Sequence, residues 1–166
     1  MSFLLSGNFT NNEGLMLLRD KVQINSNPEV VWGYIASPDR LKSWNTKVKA
    51  IVPISREEWT EGFRYRVRYE LYGREGNFLA EILEYKKPEK LIIHLTGGNM
   101  PVRGYVQEVY ELSEHKDGTL LKLSFGIYNA GINIFSRSFI VISHLFGIKA
   151  GKKYLRKLKE LVENRL

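Results

Sequence analysis

The sequence contains no cysteine, so disulfides, thiolate nucleophiles and cysteine-bound metals are excluded from the start. Histidine is nearly as scarce. The three present, His94, His115 and His144, have no metal-site spacing and form no HExxH pair. No metal and no cofactor is therefore expected. Gly-x-Ser-x-Gly and a phosphate-cradling glycine loop are also missing. No apolar run approaches the ~20 residues of a membrane span. Phe3-Leu4-Leu5 is too short for a signal-peptide core and follows no basic residue. Together these absences predict a cytoplasmic protein.

What is present is ordinary for a globular chain: 43% hydrophobic and 26% charged residues over a length of 166. Residues 1–15 show no period and read as a loose N-terminal extension, leaving 16–166 as a single domain. The net charge is +7, and Lys149, Lys152, Lys153, Arg156, Lys157 and Lys159 crowd the C-terminal segment. On an amphipathic helix such residues form a solvated face. The alternative is a weak contact with an anionic membrane through Lys149, Lys152, Lys153, Arg156 and Lys157. Nucleic acid is not expected, because the aromatic residues lie in strand patterns rather than beside these cations.

The segment from Val22 to Val52 is the most informative. Val22 and Ile24 alternate with polar neighbours, so the first strand is placed at about Leu17 to Ser26. Ser26 or Asn27 then caps a short helix with Pro28 in its first turn and an apolar side of Val30, Val31, Tyr34 and Ile35, with Trp32 flanking. Pro38 stops it. Ser37 or Asp39 opens a second short helix carrying Leu41 and Trp44, and Lys47 to Ile54 returns to a strand.

Gly62 to Leu71 reads GFRYRVRYEL, with Phe63, Tyr65, Val67, Tyr69 and Leu71 on one face and Arg64, Arg66, Arg68 and Glu70 on the other. A symmetric turn at Gly73–Gly76 would pair Leu71 with Phe78, Tyr69 with Ala80, Val67 with Ile82, Tyr65 with Glu84 and Arg68 with Glu81. Further strands are read at Leu91 to Thr96, Tyr105 to Ser113 and Leu120 to Tyr128, the last two joined by an Asp117-Gly118 turn. Phe139, Ile142, Phe146, Ala150, Tyr154, Leu158 and Leu161 then follow helical spacing, interrupted by Gly147 and Gly151. The predicted class is α+β: a curved antiparallel sheet of about seven strands gripping one long C-terminal helix.

The order of PEVVWGYIASPDRLKSWN, GFRYRV, EILEYKKPEKLIIHL, Asp117-Gly118-Thr119 and KYLRKLKELVE resembles the START-like, or SRPBCC, superfamily, which includes polyketide cyclase/dehydrase and lipid transport proteins. The resemblance implies a helix-grip fold with a cavity between sheet and helix. It implies a hydrophobic small-molecule ligand, lipid-like or polyketide-like. It places Trp44 at the pocket mouth and Phe63, Tyr65, Val67, Tyr69, Phe78, Ala80, Ile82, Ile93, Phe139, Ser143 and Phe146 in its wall. A binding or transport role is favoured over an enzyme. The alternatives are a polyketide aromatase/cyclase-type enzyme working without metal, and a chaperone-activator-like interaction module. Catalytic candidates are Glu84, which the symmetric turn puts on the inner face, His94 on a strand and His144 on the long helix. The ligand's identity and the oligomeric state are not encoded in any of these patterns.

Overall fold

The computed structural model describes residues 14–164 apart from 57, 72, 73, 99 and 130–147. Its elements are β1 (Gly14–Ile24), α1 (Pro28–Ile35), α2 (Pro38–Trp44), β2 (Val48–Pro53), β3 (Arg64–Leu71), β4 (Arg74–Lys86), β5 (Lys90–Gly97), β6 (Tyr105–His115), β7 (Gly118–Tyr128) and α3 (Ile148–Glu163). The first strand thus starts earlier than its alternation suggests, because Gly14 and Leu15 pair with Tyr128 and Ile127 of β7.

All pairings are antiparallel, in the order β1-β7-β6-β5-β4-β3-β2. The chain begins at one edge, crosses to the other through α1 and α2, and then returns strand by strand. α3 packs along β1 and against α1 and α2. It buries Tyr154, Leu155, Leu158 and Val162. The dry face of the sheet meets these residues, while Arg64, Arg66 and Arg68 are exposed on the opposite face as the alternation requires.

Local chemistry sets the joints. Asn27 caps α1 by accepting from the Val30 amide at 3.0 Å. Val30 itself is exposed and Trp32 is buried in its stead, its indole donating to the Tyr85 hydroxyl at 3.2 Å. α2 ends at Trp44, whose indole donates to the Tyr34 carbonyl at 3.0 Å and so locks the two short helices together. The last turns of α3 are fastened to the end of β1. Lys159 Nζ donates to the Gln23 carbonyl at 2.8 Å, and the Asn25 amide donates to Glu163 at 2.7 Å.

The β3–β4 hairpin differs from the symmetric reading. The ladder closes at Leu71 opposite Arg74, so Tyr69 faces Gly76, Val67 faces Phe78 and Tyr65 faces Ala80. The connection is two residues long rather than four. Every partner moves by an even number of positions, so each side chain keeps its face.

Gly118 opens β7 where the end of β1 passes close to it. A Cβ at this position would collide with the Ile24 carbonyl oxygen and crowd the Asn25 backbone. Gly118→Ala is expected to lower stability by about 1–3 kcal/mol, the usual cost of overpacking, read as a lower urea midpoint at unchanged slope. An unchanged midpoint would mean that β1 and β7 separate at this end at little cost.

Candidate functional site

The inner face of the sheet collects Phe63, Tyr65, Val67, Tyr69, Phe78, Ala80, Ile82 and Ile93, all buried. Eight of the twelve expected pocket residues are therefore brought together by β3, β4, β5 and the residue leading into β3. Trp44 is fully buried rather than at a mouth, edge-on to Tyr110 with ring centroids 6.5 Å apart. Phe139, Ser143 and Phe146 lie outside the described residues, as does His144.

The two catalytic candidates among the described residues, Glu84 and His94, do not converge. A bulge between Ile82 and Glu84 shifts the β4–β5 register, so Glu84 pairs with Ile92 instead of following Ile82 and Ala80 inward. Its carboxylate, half-exposed, lies 2.9 Å from Lys90 Nζ. The expected pairing of Tyr65 with Glu84 does not form, because Tyr65 faces Ala80. His94 points away from its buried neighbours Ile93 and Leu95. Its Nε2 lies 3.0 Å from Gln107 Oε1, and its ring stacks on Tyr105 at 4.2 Å.

The interior instead holds a carboxylate that the alternation of β6 conceals. Val106, Glu108, Tyr110 and Leu112 share the buried face. Glu108 lies between Ile93 of β5 and Phe125 of β7, with 3% of its surface exposed. The Tyr69 hydroxyl donates to Oε1 at 3.3 Å, and the Tyr110 hydroxyl donates to Oε2 at 3.1 Å. Lys47 joins the cluster from the start of β2. Lys47 lies in the turn that leads into β2, and it and Val48 are buried in succession. Lys47 Nζ stands over the Tyr154 ring at 4.4 Å, which ties α3 to the same group.

Burial dominates the electrostatics here. It raises Glu108 from the ordinary 4.5 to about 7, against the opposing pull of the Tyr110 hydrogen bond, the Lys47 charge and the Tyr69 hydrogen bond. It lowers Lys47 from 10.5 to about 7, with the Glu108 charge resisting. Burial and the Glu108 charge push Tyr65, Tyr69 and Tyr110 above the usual phenol range. Two further buried polar atoms, Asn45 Oδ1 and Trp59 Nε1, have no hydrogen-bond partner among the described residues. Trp59 packs on Phe63 and Tyr65 at 4.9 and 4.6 Å between centroids.

Sequence reasoning missed Glu108, Lys47, Tyr110, Asn45 and Trp59. For Glu108 and Tyr110 the signal exists. The tight turn between β6 and β7 sets Leu112, Tyr110, Glu108 and Val106 opposite Leu121, Leu123, Phe125 and Ile127. That apolar face of β7 is legible, and so is its partner. For Lys47 nothing in the sequence marks an inward lysine. A separate open depression of about 540 Å³ lies over β2, β3 and β4 and is lined by Ala50, Val52, Arg66, Arg68 and Leu79 among others. The exposed arginines place it on the outer face, across the sheet from Glu108.

The family profile described as polyketide cyclase / dehydrase and lipid transport matches residues 17–163. The chain belongs to this family. Solved structures similar to this family member share its helix-grip fold. TTHA0849 from Thermus thermophilus superposes with a TM-score of 0.67 at 19% identity, over 89% of this chain and 97% of that one. A START superfamily protein from Mycobacterium smegmatis gives 0.64 at 15%, over 90% and 96%. Ara h 8.0201 gives 0.63 at 10%, over 87% and 95%. At such identities the likeness is one of fold. No curated protein matches the chain. Among the described residues of this family member, no helix is long and apolar enough to cross a membrane.

The Glu108 shift has a defined sign. A carboxyl raised from 4.5 to about 7 stabilises the fold below the lower value and loses that contribution as pH rises through the upper one. Glu108→Gln carries no such proton. The stability of wild type relative to Glu108→Gln is expected to fall by roughly 2 kcal/mol between about pH 5 and about pH 7. Urea midpoints at the two pH values measure it. A difference independent of pH would mean that Glu108 titrates as a solvated carboxylate.

Proposed function

We propose that the protein binds a hydrophobic small molecule, lipid-like or polyketide-like, between the inner face of the sheet and the C-terminal helix. A polar group of the ligand meets the Glu108–Lys47–tyrosine cluster. The observation that carries this reading is the composition of the inner wall. Its surface is apolar and aromatic, and it holds one buried carboxyl, one buried amine and the hydroxyls of Tyr65, Tyr69 and Tyr110. Apolar walls supply affinity, and a few placed polar groups supply orientation. The family generally binds hydrophobic small molecules, and the family match spans nearly the whole described chain.

The wall residues have distinct parts in this reading. Phe63, Val67, Phe78, Ile82 and Ile93 contact the apolar body of the ligand. Ala80 is the small residue between Tyr65 and Leu95 and leaves room for it. Glu108 and the tyrosines exchange their internal hydrogen bonds for bonds to the ligand's polar end. A second reading, an aromatase/cyclase-type enzyme using the same interior, draws on the same carboxyl. A group whose proton affinity lies near neutrality suits general acid–base work.

Native mass spectrometry of the purified protein tests the binding reading directly. A co-purifying apolar molecule is expected, and so is displacement of an apolar fluorescent probe by that molecule. Ala80→Phe should abolish probe binding while lowering stability by less than the ~1–3 kcal/mol typical of overpacking a dense core. Strong destabilisation by Ala80→Phe, together with no probe binding to wild type, would mark the inner face as packed core only.

A further inference from the structure

Hydrophobic binding leaves one combination on the inner wall without a chemical role. A primary amine and a carboxyl group share the same water-poor cluster. Lys47 is 3% exposed, with its backbone fixed on both sides. The Glu70 amide donates to the Lys47 carbonyl at 2.8 Å, and the Val48 amide donates to the Asn45 carbonyl at 3.0 Å. Its Nζ is steered inward against the Tyr154 ring. Glu108 is held from two sides by Tyr69 and Tyr110 and feels the Lys47 charge. Such a lysine is costly as a structural element, since an apolar residue of the same length would fill the space without desolvating a charge.

We infer that Lys47 is an amine nucleophile that captures an apolar aldehyde or ketone as an imine, with Glu108 carrying the protons. This rests on the binding reading above, because the carbonyl compound has to reach the inner wall. An ordinary lysine is protonated at neutral pH and offers no lone pair. Here burial disfavours the ammonium and the carboxylate alike, so moving one proton from Lys47 to Glu108 removes two buried charges at once. A neutral amine beside a neutral carboxylic acid is the pair that imine formation uses. An arginine in this place would carry its charge permanently and do no such chemistry.

The steps balance without any further reagent. The Lys47 nitrogen bonds to the carbonyl carbon while the carbonyl oxygen takes the Glu108 proton. The nitrogen then returns a proton to the Glu108 carboxylate, giving a neutral carbinolamine. Next the carbinolamine hydroxyl takes that proton, the carbon–oxygen bond breaks, and water leaves as the nitrogen lone pair forms the carbon–nitrogen double bond. The product is an iminium beside the Glu108 carboxylate, and return of the iminium proton to Glu108 leaves a neutral imine and a neutral acid. The Tyr69 and Tyr110 hydroxyls donate to the carboxylate each time it forms. Hydrolysis reverses every step, so the capture suits a carrier as well as an enzyme.

The experiment treats the full chain at neutral pH with decanal and cyanoborohydride, which reduces an iminium to a stable secondary amine, and maps the modified lysine by peptide mass spectrometry. Modification concentrated on Lys47 is expected. It should be absent in Lys47→Met and slower by on the order of a hundredfold in Glu108→Gln, the range of a lost general acid. Decanol, which has no carbonyl, should bind without adduct and protect Lys47. Unmodified Lys47 in a protein that still binds decanol overturns the imine and leaves the binding reading standing. Failure to bind decanol or decanal overturns both. Adducts spread evenly over surface lysines also overturn it. Peptide mapping of the wild type identifies the residue even if either variant fails to fold.

Discussion

Glu108 sits where water does not reach, and the groups around it have to answer either its charge or its proton. Tyr69 and Tyr110 supply hydrogen bonds from two strands, Lys47 supplies an opposing charge from the far edge of the sheet, and Tyr154 of α3 supplies a ring face beneath the ammonium. The cluster therefore joins β2, β3, β6 and α3. Apolar contacts alone tolerate sliding between layers. A carboxyl satisfied by particular hydroxyls does not, because an unsatisfied buried polar group costs more than a mispacked methyl. The grip of the sheet on its helix is thus set by polar geometry at the centre and by apolar area around it.

On the proposed reading, the same cluster links stability to function. A packed hydrophobic core needs no ionisable pair, and replacing such pairs by apolar residues is often neutral or stabilising. The protein keeps one on its inner wall, together with two buried polar atoms, Asn45 Oδ1 and Trp59 Nε1, that have no partner among the described residues. In the proposed binding reading these groups meet the polar end of the ligand. The family to which the chain belongs generally binds hydrophobic small molecules.

Most of the architecture is legible in the sequence because it rests on period. The alternation of β3 fixes which side is dry, and an error in turn length does not disturb it. Reading the β3–β4 turn as four residues instead of two changes Tyr65's partner from Glu84 to Ala80 and leaves every face intact. Glu84 is misplaced for another reason. A bulge adds one residue to β4 and moves the carboxylate to the outer side, and a strand pattern of EILEYK does not announce where the bulge falls. Glu108 was within reach, since its neighbours across β7 are unmistakably apolar. Lys47 was not. A lysine at the end of a loop is exposed in most proteins, and only the course of the chain from Trp44 into β2 turns this one inward.

The placement of β1 has a consequence for how the protein comes into being. This first strand is an edge whose ladder partner is β7, and it is pinned by α3 through the Asn25–Glu163 hydrogen bond, which spans 138 positions of sequence. On the ribosome β1 emerges before every other described element and has no ladder partner until β7 has been made. Its loop-closure entropy must be met before any of its contacts return free energy. The intervening hairpins, each local, can assemble in order. The fold then closes late, when α3, the last of the described elements to emerge, docks on β1, so synthesis halted before α3 would leave the face that α3 covers bare and open to association with other chains.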